Sequence, residues 1–289
     1  MQKQGLYAAL GKLKTMKVSF IQPEQQLSPF VAFIWVFESS FGVPMADSRI
    51  IVPDGRAKII LPYRNSLCAA VNNRLMNAKA HHIFLVGIQT SPAIIGSTAT
   101  NTGTIGIELT PKGLYHLFKL SMHELTNRMV SFEELFGPWG ARFQNRVGEA
   151  EDPQEKIVLL QIALTHLLQK NEKDYSLLDH TLDLIIQTQG MILVQELAAQ
   201  IGYTKRYLDL LFKEHVGLSP KLLASILRFQ EVYQGWMQHK SPTFLRNHWS
   251  AYYYDQSHFI KEFKRFTGFT PQQYREIANE FGRAFSAKQ

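Results

Sequence analysis

The chain has 289 residues, of which 45% are hydrophobic and 19% charged, and a formal net charge of +7. That balance excludes a disordered or low-complexity chain, and the length leaves room for two domains that each bury a core. No apolar run approaches the roughly 18 residues of a membrane span, residues 1–15 lack the apolar segment of an export signal, and a single cysteine, Cys68, forbids an internal disulfide, so a reducing cytoplasm is the expected setting.

Residues 1–15 read as a flexible tail. Residues 16–110 then read mainly as strands: Val18 to Ile21, Phe30 to Phe37, Arg49 to Val52, Ala57 to Leu61, Ile83 to Gln89 and Thr104 to Leu109. They are short, rich in β-branched and aromatic residues, and separated by turn signals such as Pro53-Asp54-Gly55 and Thr102-Gly103, which implies a sandwich or small barrel. Phe30, Phe33, Trp35 and Phe37 are either core or the wall of a small-molecule cavity. His81 and His82 are adjacent, fall on opposite faces of a strand and make no metal set. Cys68, in the apolar stretch Ser66 to Ala70, reads as a packing residue.

Helical punctuation takes over near residue 110, with helix starts at Thr110-Pro111, at Ser121 with Glu124, at Ser131 with Glu134, and at Asp152-Pro153. The helix from Pro153 to about Lys170 gathers Ile157, Leu160, Leu164, Leu167 and Leu168 on one face, to cover the sheet, to pair with a second subunit, or both. A helix from Ser176 to Gln187 follows, then a junction at Thr188-Gln189-Gly190, and from there the chain is all helix. The fold class is therefore α+β. A mainly-β sandwich or barrel with flanking helices spans residues 16–175 for sensing or dimerisation. An all-α domain of two helix-turn-helix units joined by a linker helix spans residues 176–289.

A repeat carries the functional reading. Phe212-Lys213, Gly217 and Ser219-Pro220 recur as Phe263-Lys264, Gly268 and Thr270-Pro271, each displaced by 51 residues. Each copy holds the end of a helix, a glycine suited to a left-handed stop, then a hydroxyl N-cap with proline at the first helical position. In the first unit Leu197, Ala198 and Ile201 form the buried side of a short helix, Thr204 caps the next, and Leu208, Leu211, Phe212 and His215 face inward. Lys205, Arg206, Asp209 and Lys213 are left on the outer face. In the second unit Asp255 caps, Phe259 and Phe263 pack, and Gln256, Ser257, His258, Lys261, Lys264 and Arg265 are outward.

Arg pairs bidentately with guanine, Gln with adenine, Asp accepts from cytosine, and lysines farther along suit phosphates, so these ten residues are the candidate DNA contacts. His258 alternatively braces its turn. Pro220 to about Met237 reads as one helix, a strut of roughly 27 Å that sets two reading helices near the ~34 Å repeat of B-DNA. From residue 188 onward there are 13 Lys and Arg against 8 Asp and Glu, so +5 of the +7 lies in the last third, as suits a polyanion.

Leu197-Ala198, Ile201-Gly202, Leu208, Phe212-Lys213 and Gly217-Leu218-Ser219-Pro220, followed by Asp255-Gln256-Ser257-His258-Phe259, Phe263-Lys264, Gly268, Thr270-Pro271 and Tyr274, resemble the double helix-turn-helix domain of the AraC/XylS transcriptional regulators. Pro53-Asp54-Gly55 and the run Gly106 to Leu114 resemble a poorly characterised N-terminal domain found in some of those regulators. The resemblance implies bacterial transcription control through promoter DNA, with contact to RNA polymerase and an N-terminal domain that senses a small-molecule effector or forms a homodimer. It calls for no enzymatic activity, catalytic residue, cofactor, metal or membrane. Two departures stand out: Leu210 replaces the basic residue matched by Lys261, and Tyr252 stands where glycine is usual, so the first helix of the second unit is expected to be shifted or shortened. The alternatives are a protein-interaction regulator with a degenerate second unit and, remotely, an alkyl-transfer protein using Cys68, which lacks the Pro-Cys-His setting of that chemistry.

Overall fold

The computed structural model describes residues 16–40, 50–72, 74–97, 99–171, 173–239 and 249–276. The expected tail at residues 1–15, Arg49 of the third expected strand, and Asn247-His248 ahead of the second unit lie outside the described residues.

Among the described residues ten antiparallel strands form two sheets. The larger has the order β1 (Met16–Ile21), β2 (Val31–Ser39), β9 (Thr102–Leu109), β4 (Lys58–Pro62), β7 (Phe84–Val86) and β10 (Met129–Ser131). The smaller has the order β3 (Ile50–Ile51), β8 (Ala93–Gly96), β5 (Leu67–Val71) and β6 (Arg74–Ala78). Strand β9 is central and buried along its whole length. The two-residue period sorts the larger sheet into two faces. Ile34, Ile59, Leu85, Ile105 and Ile107 belong to the main core, whereas Phe33, Trp35 and Phe37 form a separate cluster with Ile60. Phe30 departs from the expected aromatic set: it sits just before β2 and packs on His116, ring centroids 4.8 Å apart. His81 and His82 occupy a turn, His81 in a left-handed conformation at φ +63°, so the strand expected from Ile83 is the shorter β7.

Helices α1 (Pro111–Leu117), α2 (Phe132–Phe136), α3 (Pro138–Glu149) and α4 (Pro153–Gln169) follow. Thr110, Ser131 and Asp152 cap as the sequence predicts, accepting from the backbone N–H of Gly113, Glu134 and Gln154. Ser121 does not: only a single 3-10 turn follows it, and its hydroxyl donates instead to Glu214 Oε2 at 2.6 Å. A tertiary partner has outcompeted the cap. Helix α4 buries Ile157, Leu160 and Leu164 in the main core and packs on α1, α3 and the single turn Gln25–Leu27.

Lys156 on the same helix is also buried, and its ammonium donates to the carbonyls of Val147 (2.7 Å), Gly148 and Ala150, the unpaired end of α3. Burial pulls this lysine below its usual pKa. Lys156→Met keeps the stem but orphans those carbonyls, with an expected loss of about 1–3 kcal/mol in a urea melt.

Among the described residues the remaining helices are α5 (Ser176–Gln187), α6 (Val194–Ile201), α7 (Lys205–His215), α8 (Pro220–His239), α9 (Gln256–Thr267) and α10 (Pro271–Glu276). They share one continuous core with the larger sheet and with Ile50 of β3, while Leu67, Val71, Ala93 and Ile95 of the smaller sheet pack in a separate cluster. Along the seam Gln230 of α8 donates to the Pro53 carbonyl at 2.5 Å, and Gly55 lies against Leu223, Ile226 and Leu227. Thr126 donates to the Gly217 carbonyl at 2.8 Å.

Candidate nucleic-acid interface and N-terminal cavity

Both units are built by the local rules their sequence states. Thr204 accepts from the Tyr207 N–H and Asp255 from the His258 N–H at 2.7 Å, which fixes where α7 and α9 begin. Gly217 and Gly268 follow these helices at φ +86° and +83°, a region costly for any residue with a side chain. Ser219 and Thr270 then cap α8 and α10 through the Leu222 and Gln273 N–H groups. Leu208, Phe212, Phe259 and Phe263 are each at most 2% exposed, so the opposite faces of α7 and α9 are turned to solvent.

On those faces Lys205, Arg206 and Lys213 of α7 are exposed and Asp209 is half-buried. Gln256, Ser257, His258, Lys261, Lys264 and Arg265 of α9 are all exposed. Leu210 is exposed as well, an apolar contact where the second unit offers Lys261. The His258 ring meets Tyr253 edge-on with centroids 5.3 Å apart, and its Nε2 lies 3.8 Å from Glu262. Tyr252 stays out of the left-handed region, and the described residues just ahead of α9 form only a 3-10 turn, Trp249–Ala251.

A cleft of about 830 Å³ separates the two reading helices. Lys205, Asp209 and Lys213 line it from α7, Lys221 and Arg228 from α8, and His258 and Glu262 from α9. Four of these are full cations against two carboxylates, so the cleft favours an anion. Three of its residues were not singled out by their sequence pattern. Lys221 follows the proline of α8. Arg228 and Glu262 form an ion pair at 3.1 Å, with Ser225 also donating to Glu262 and the Arg228 guanidinium 5.1 Å from the Tyr253 ring centre. This pair fastens the second reading helix to the strut. Arg228→Met leaves Glu262 poorly solvated and unpaired, and is expected to cost about 2–3 kcal/mol. Adding Glu262→Gln should recover part of that, as a double-mutant cycle in urea would measure.

Residues 197–277 match a family described as helix-turn-helix domain, over both units and the strut between them. These residues form a helix-turn-helix domain of the AraC type, and the chain is a DNA-binding transcription regulator. Residues 19–131 of this regulator match a domain of unknown function, DUF6597. No curated protein matches it. Among solved structures it is similar to ToxT from Vibrio cholerae O395, at 11% identity over 93% of this chain and 99% of that one, TM-score 0.45. It is similar also to unsaturated fatty acid-bound ToxT from V. cholerae strain SCE256, at 12% identity over 91% and 95%, TM-score 0.44. A third, the EutQ protein of Clostridium difficile, shares 10% identity over 33% of this chain and 68% of that one, TM-score 0.25.

Between the regulator's two sheets lies a cavity of about 90 Å³. Its wall is mostly apolar, with Trp35, Phe37, Ile60, Met76 and Ile95, and Cys68 stands in it with Sγ 3.0 Å from the Gly96 carbonyl. Trp35 lies so close over Gly106, its partner on β9, that a β-carbon there would fall 2.0 Å from the indole. One end is polar. Lys58 Nζ sits 2.7 Å from Asp54 and 2.5 Å from Glu108, whose other oxygen accepts from Trp35 Nε1 at 3.0 Å. Burial pushes the Glu108 carboxyl above the usual carboxylate range against the pull of Lys58. Burial works against the Lys58 charge, but the two carboxylates outweigh it and hold the ammonium above the ordinary lysine value. Asp54 and Glu108 come from the two sequence runs, Pro53 to Gly55 and Gly106 to Leu114, that mark the N-terminal resemblance.

Proposed function

We propose that the regulator reads promoter DNA as a two-headed clamp, with α7 and α9 entering successive major grooves on one side of the duplex and the intervening backbone running over the basic cleft. The observation that carries this is the common exposure of Arg206 and Lys261 on helices that border one cation-rich cleft. Arg206, Asp209, Gln256 and Lys261 are assigned to base edges; Lys205, Lys213, Lys264 and Arg265 to phosphates; and Ser257 and His258 to either. In this reading residues 176–289 are the reader. Residues 16–175 are a non-enzymatic sensor for a small molecule held between the sheets, or a dimerisation unit, and the DNA-bound protein contacts RNA polymerase.

Footprinting on the promoter beside its own gene tests the assignment. Two protected segments with centres about 10 base pairs apart are expected, with affinity falling steeply as salt rises. A single protected segment would remove the second head from the reading. Salt-dependent binding without any sequence preference would point to a regulator that works through protein partners.

A further inference from the structure

We propose that the cavity between the sheets takes a small aliphatic amine, its protonated nitrogen lodged at the Asp54, Lys58 and Gln89 end and its hydrocarbon body against Trp35 and Phe37. The inference rests on the reading of residues 16–175 as a sensor and names the chemistry of what is sensed.

Two observations converge on a donor-bearing cation. Gln89 borders the cavity and spends its amide N–H on the Gly87 carbonyl at 2.8 Å, which leaves Oε1 buried with no donor. Buried acceptors are nearly always paired, so this oxygen marks where a ligand N–H belongs. The second observation is charge: Asp54 and Glu108 bring two negative charges to the single positive charge of Lys58, and the side chains of all three are at most 14% exposed. An ammonium brings that set to neutrality, whereas a carboxylate ligand would add a third negative charge where solvent screens little. Size sets the rest. An apolar cavity of roughly 150 Å³ takes a benzene ring, so about 90 Å³ suits an amine of about two carbons.

The test is calorimetric titration of the full chain with three molecules of similar size: ethylamine, ethanol and acetate. The amine is expected to bind about tenfold more tightly than the alcohol, and the acid not to register. Glu108→Gln should erase the preference for amine over alcohol, and Gln89→Leu should weaken the amine about tenfold; a thermal melt of each variant confirms that it is folded. Tighter binding of ethanol or acetate overturns the amine assignment while leaving a sensor of small molecules in place. Failure of all three to bind overturns both.

Discussion

Arg206→Ala and Lys261→Ala are each expected to lower affinity for the specific site by about 1–3 kcal/mol, and to do so almost additively, since the two side chains stand on separate helices with no shared partner. Each should relax sequence preference only at its own half of the site. A phosphate contact such as Lys264→Ala should instead weaken specific and non-specific DNA alike and flatten the salt dependence. Quantitative gel shifts on a site scanned base by base make the distinction. The informative result would be Arg206→Ala acting alone, because that leaves the second unit as a folded but silent head. Its exposed Lys261, Lys264 and Arg265 argue for an active one.

Phe229→Ala is expected to cost about 3–5 kcal/mol, the range for removing a fully buried aromatic side chain. Phe229 is 0% exposed at the middle of α8, with ring centroids 5.8 Å from Phe263, 5.0 Å from Phe266 and 5.4 Å from Tyr233. Its loss empties the contact through which the strut positions the second unit. The variant should therefore melt at lower urea and, where still folded, lose footprint protection over the second half-site before the first. Phe229→Leu, which retains most of the volume, should show a much smaller version of both effects. Equal loss over both halves would mean that the strut does not hold the heads independently.

The reading helices were legible because their signals are local. A cap, a periodic apolar face and a glycine stop all lie within a dozen residues of one another, and the repeat at 51 residues states them twice. Strands with dense β-branched content, such as β2 and β9, were legible for the same reason. Strands β5, Leu67–Val71, and β6, Arg74–Ala78, were not: β6 lies at a sheet edge with a mostly exposed face, and the middle of β5 is small residues without alternation. Strand β10 was hidden behind the cap that Ser131 supplies to α2. The pairs that define both sites were illegible for a different reason. Lys58 meets Glu108 fifty residues away and Arg228 meets Glu262 thirty-four residues away, and such pairings are set by sheet order and helix crossing rather than by any spacing along the chain. Ser121 shows the converse, a local signal overridden when Glu214 folded into reach.

The packing of Pro53 and Gly55 onto α8 has a consequence for how the protein comes apart. Leu223, Ile226 and Phe229 sit in the same apolar interior as Ile107 and Leu109, so heating should release sheets and reading helices in a single calorimetric transition. A fragment cut at residue 176 would bare an oily stripe along the rod and should clump unless that stripe is made polar. The same seam makes folding and sensing one property: whatever tightens the sandwich stiffens the rod that spaces the two heads.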